Sequence, residues 1–169
     1  MNIESNTVGI IHLTASVIAL LTGLFVLTSI KGNKRHKQLG YIYTIAMIIV
    51  NITAFMIYKL FGTFGIFHCF AILSLFTLFA GILPVLSKKS KNYLLTHFTF
   101  MYWSVVGLYC ALFAELFTRL PILLNIPSSR GIFSALTGIS IFLVMIIAFK
   151  FFSKYNPIWT KKYENNSIL

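Results

Sequence analysis

Five long apolar runs separated by short polar segments constrain this chain more than any other feature. They cover residues 8–30, 41–61, 65–86, 94–120 and 132–152. A helix needs roughly 20 apolar residues to cross ~30 Å of hydrocarbon, and every run is that long. Lipid offers no hydrogen bonds to the backbone, so only helices or closed barrels can span it. A barrel requires alternating segments of about ten residues, and no such pattern occurs. The composition agrees, with 58% of residues hydrophobic, 10% charged and a mean hydropathy of +0.87. A soluble domain carries about 25% charged residues to face water. The expected fold is all-α: a single integral membrane bundle of five transmembrane helices over residues 1–169.

The net charge of +11 would suit a nucleic-acid binder if the cations formed one stripe, but they do not. Lys31, Lys34, Arg35 and Lys37 follow the first run; Lys88, Lys89 and Lys91 follow the third; Lys150, Lys154, Lys161 and Lys162 end the fifth. These alternate segments hold 11 of the 14 basic residues, while Lys59, Arg119 and Arg130 fall on the other side. Cytoplasmic loops are enriched in Lys and Arg. The expected topology is therefore N-terminus outside, C-terminus cytoplasmic, with a cytoplasmic tail over 153–169 and no nucleic-acid partner. The first run is too long for a signal-peptide core and stays in the mature chain. Cys69 and Cys110 lie inside apolar runs, which argues against a disulfide.

Membrane helices approach one another through small residues. Such stripes occur at Ser16, Ala19 and Gly23; at Ser74, Thr77 and Gly81; at Ser104, Gly107, Ala111 and Ala114; and at Ser134 and Gly138. Asn51 falls near the middle of the second span, where an amide without a partner is costly. An interhelical hydrogen bond is its expected role, and the sequon-like Asn51-Ile52-Thr53 carries no glycosylation meaning inside a span.

Ionisable groups within spans are rare and face the interior of a bundle. His12, His68 and Glu115 sit on three different helices at one depth, in the expected outer leaflet, with Arg119 one turn beyond Glu115. Glu115 and Arg119 at i, i+4 also suit a simple ion pair that holds the helix end. On the cytoplasmic side, His36 falls in the basic loop and His97 just inside the fourth span. His97 and Glu115 are 18 residues apart, five turns along one face, with Ser104 and Ala111 on the same line.

The chain resembles the bacterial predicted membrane proteins of domain-of-unknown-function family 2306. The resemblance rests on His12 with ALLTG at 19–23, KGNKRHKQLGYIY at 31–43, VNITAFMIY at 50–58 and GTFGIFH at 62–68. It continues with H-x-x-F-M-x-W-S-x-x-G-L-Y at 97–109 and A-E-x-x-x-R at 114–119, so it covers about residues 8–120. Lys37 stands where many members carry Arg. The resemblance implies a bacterial cell (inner) membrane location and singles out the same His and Glu positions; it implies no activity.

Three functions compete. A b-type haem carrier needs one His from each of two facing helices; His12 with His68 would hold an outer haem, and His36 with His97 an inner one, as in two-haem membrane cytochromes. The apparent loop position of His36 counts against the inner site. A transition-metal centre would use His12, His68 and Glu115, for electron transfer or for metal-dependent hydrolysis with Arg119 on an anionic lipid. A non-catalytic transport, proton-relay or assembly subunit needs no cofactor. The expected partners are the lipid bilayer and a membrane redox or other protein. No phosphate loop, CxxC, HExxH or nucleophile elbow is present.

Overall fold

In the computed structural model the described residues are 3–57, 64–124 and 130–164, and among them the chain is all-helical. The helices are α1 (Ile3–Thr28), α2 (Lys34–Met56), α3 (Ile66–Ser87), α4 (Tyr93–Leu123) and α5 (Arg130–Glu164). All five are long and apolar enough to cross a membrane.

Local chemistry shifts several boundaries from those expected. α2 starts at Lys34 rather than at 41, because Asn33 acts as its N-cap and accepts the His36 backbone N–H at 2.7 Å. An Asn side chain there satisfies one of the orphan donors of the first turn. His36 is thus helical, contrary to the loop position expected for it. The preceding turn is tight, with Gly32 at φ +82°, a conformation that favours glycine. The end expected for this helix, at 61, falls outside the described residues.

α4 runs through Pro121 to Leu123 instead of stopping before it. The proline removes one rung, and the ladder is in place again at Leu124, whose N–H donates to Leu120 O at 3.0 Å. α5 continues to Glu164 through residues expected as a tail, with Pro157 inside it. Its end carries Tyr155 and Trp159, rings with one apolar side and one polar edge. Trp159 packs on Phe98 of α4 at 3.9 Å between centroids, and Tyr155 stacks on Trp159 at 5.6 Å.

α1 packs on α2, α2 on α3, α3 on α4, and α4 closes the ring against α1; α5 packs on α4 alone among these helices. The shared core holds Ala19, Tyr43, Ala46, Met47, Leu78, Met101, Val105 and Leu108. Leu13, Phe25, Ile45, Phe76 and Phe142 point outward from the bundle, an apolar surface suited to lipid rather than water. Small residues meet the core where expected on α1 and α3. A Cβ on Gly81 would stand 2.8 Å from Met101 Sδ. On α4, Ser104 and Ala114 are buried, whereas Gly107 and Ala111 are exposed, as are Ser134 and Gly138 on α5. A seven-residue spacing drifts by about 20° per repeat on a straight helix, which turns Ala111 off the line that starts at His97.

Polar side chains bridge the helices inside this core. Asn51 donates from Nδ2 to Ser74 Oγ on α3 at 3.2 Å and to Met47 O at 2.7 Å, the interhelical role expected of it. Tyr43 and Ser104 hydrogen-bond at 2.9 Å and join α2 to α4 across the diagonal of the ring. Tyr102 donates to Ala148 O at 2.7 Å and fixes α5 on α4.

Candidate functional site

The ionisable side chains of the interior gather at the two ends of the bundle. At the end where α1 begins, His12 is mostly buried and faces both α2 and α4. Its Nδ1 lies 2.9 Å from Thr53 Oγ1 on α2. Thr53 has one hydroxyl proton, and it points back along its own helix to Ile49 O at 2.7 Å and Val50 O at 3.0 Å. The hydroxyl oxygen therefore accepts from His12, which places a proton on Nδ1. The other ring nitrogen, Nε2, lies 4.0 Å from Glu115 Oε2 on α4, with Glu115 38% exposed. Three helices thus converge on one histidine: α1 carries it, α2 sets its tautomer and α4 supplies the carboxylate.

His68 is buried and is used differently. Its Nδ1 accepts the Gly65 backbone N–H at 3.0 Å, which caps the start of α3. Its ring stacks on Phe64 at 4.9 Å between centroids. A nitrogen that accepts from a backbone N–H carries no proton, so neutral His68 has its proton on Nε2, the reverse of His12. The expected grouping of His12, His68 and Glu115 is not one cluster: among the described residues no three His, Cys, Asp or Glu side chains are placed to hold a metal ion. The Arg119 side chain lies outside the described residues.

At the opposite end, His97 donates from Nδ1 to Gly81 O of α3 at 2.7 Å. His36 Nδ1 lies 3.2 Å from Ser29 Oγ, whose own proton goes to Val26 O at 3.1 Å. Ser29 therefore accepts, and Nδ1 of His36 is the donor. Lys31 lies beside them and donates to Val26 O at 2.8 Å and Leu27 O at 2.6 Å, capping the last turn of α1. Burial pushes the Lys31 ammonium down to about 8. His36 sits within electrostatic range of both Lys31 and His97.

Sequence reasoning missed Thr53, Ser29 and Lys31 as parts of these ends. In the sequence Lys31 reads as a topology signal, and Thr53 as part of a sequon without meaning inside a span. The only sequence signal was position: Thr53 is near the far end of the second span from His36, and Ser29 is one turn past Phe25 at the end of α1. None of the four histidine tautomers could be read from spacing.

The arrangement at the His12 end can exchange a proton. A neutral imidazole with its proton on Nδ1 turns a basic lone pair toward a carboxylate, and a proton between the two removes the repulsion. Either a charged pair or a neutral pair then results, and in both cases the net charge is zero.

The family described as "Predicted membrane protein (DUF2306)" matches residues 9–152. No curated protein and no solved structure matches the chain. With most of its length covered, including all four histidines and Glu115, the chain belongs to the DUF2306 family of predicted membrane proteins.

Proposed function

We propose that this is a proton-handling membrane protein, a relay or coupling subunit, whose working element is the His12–Glu115 pair. With the N-terminus outside, as the distribution of Lys and Arg supports, the pair belongs to the outer leaflet. The observation that carries this reading is the fixed tautomer of His12: Thr53 holds the proton on Nδ1, and Nε2 faces Glu115 Oε2 at 4.0 Å. An isolated charge within a span is expensive. A shared proton makes the pair neutral overall and lets it load and unload a proton without changing the packing around it. Glu115 is partly exposed, and the reading requires that this exposed side reach the outer aqueous phase.

Infrared difference spectra of the reconstituted full chain across a step from acid to neutral pH test the proposal. The carboxyl band at the acid end should lose one component in Glu115→Gln, with those of Glu4 and Glu164 left in place, and that component should shift in His12→Gln. Proton uptake by proteoliposomes should fall at least tenfold in both variants. A carboxyl signal unchanged in Glu115→Gln overturns the assignment. Stoichiometric metal in the wild-type protein that is lost in Glu115→Gln would overturn it in favour of a metal centre.

A further inference from the structure

The second end of the bundle carries an independent site. α2 and α4 run in the same direction and face each other across the ring, because Tyr43 Oη and Ser104 Oγ meet at 2.9 Å with both side chains buried. Seven residues separate His36 from Tyr43, and seven separate His97 from Ser104. Seven residues are two turns, about 10 Å along the axis, and return to nearly the same face. His36 and His97 therefore stand at one depth on the two inward faces, two turns from a contact that fixes the register of both helices. The electrostatic reach between them agrees with this placement.

Both imidazoles are also prepared chemically. Each donates Nδ1–H to a fixed oxygen, Ser29 Oγ for His36 and Gly81 O for His97. That bond orients the ring, selects the tautomer and makes Nε2 the basic atom, which is how ligating histidines are held. Gly40 lies on the same face between His36 and Tyr43, and a Cβ there would have nothing within 4 Å.

The donor set decides what such a site can take. A bare zinc or iron ion asks for three or four protein ligands, and among the described residues no group of three His, Cys, Asp or Glu exists. A haem iron already has four pyrrole nitrogens and needs only two axial ligands from the protein. Two imidazoles from two helices supply them. The cations at this end, Lys31, Lys34, Arg35 and Lys37, complement a ligand that carries two propionates. We infer that His36 and His97 are the axial pair of a b-type haem site at the end of the bundle opposite His12.

Hemin titrated into the detergent-purified full chain tests this. One equivalent should bind, with the low-spin spectrum of bis-imidazole ligation. His36→Ala and His97→Ala should each abolish the low-spin signal, and His97→Met should retain hemin with a changed axial signature if the fold survives. His12→Gln and His68→Gln should leave the spectrum as in the wild type, so failure of this site is distinguishable from failure of the proton-handling pair. Absence of a Soret shift on hemin addition, or a low-spin spectrum that persists in both His36→Ala and His97→Ala, would overturn the assignment.

Discussion

Gly23 on α1 lies directly beneath the ring of Tyr43 on α2: a Cβ at Gly23 would stand 3.0 Å from Cε2 of that ring and 3.3 Å from Val105 Cγ2 of α4. The ring cannot withdraw, since its hydroxyl is held by Ser104 at 2.9 Å. Gly23→Ala should therefore cost about 1–3 kcal/mol through overpacking. Gly107, by contrast, has nothing within 4 Å of an added Cβ, and Gly107→Ala should be neutral or stabilise by up to about 1 kcal/mol through helix propensity. Unfolding of the two variants in mixed micelles checks the difference; equal effects would show that Tyr43 is not pinned.

Lys31 gives the fold a pH dependence with a definite sign. Its ammonium is held at about 8 by burial, against 10.5 for an ordinary lysine. Between these values the unfolded chain binds more protons than the folded one, so stability rises with pH across that window and the gain is lost as pH falls through 8. Resonances of isotopically dimethylated lysines should show one group titrating near 8, absent in Lys31→Met. The stability slope between pH 8 and 10 should also flatten in that variant. Lysines that all titrate together near 10.5 would contradict the burial of Lys31.

The topology is tested with single cysteines in a background lacking Cys69 and Cys110. A cysteine at Gly32 or Ser90 should react with a membrane-impermeant maleimide only in inverted vesicles, and one at Phe64 only in intact cells. Labelling of position 32 from outside would reverse the orientation and exchange the leaflets of the two histidine ends.

The five spans were legible because each is a long apolar run; the orientation expected from charge alternation rests on the Lys and Arg distribution alone. The start of α2 was not, although its signal was present: Asn33 is a strong N-cap residue, masked by the basic cluster that reads as loop. That one boundary removes the objection to His36. The shared depth of His12 and Glu115 could be counted from the helix ends. The third member of that site, Thr53, could not, since an almost uniformly apolar helix hides which face turns inward. His68 shows the opposite limit. Its depth matched that of His12, yet its Nδ1 caps its own helix at Gly65, a use that depth alone does not distinguish from ligation.

Among the described residues α5 packs along α4 and on no other helix, and neither end site draws a side chain from it. Both proposed sites are thus complete in the first four helices, and the last is an annex. A chain that stopped after Leu123 would keep the chemistry and lose a wall. The fifth helix is accordingly the part of this fold most open to replacement, by another sequence or by a neighbouring protein, without rewriting the interior.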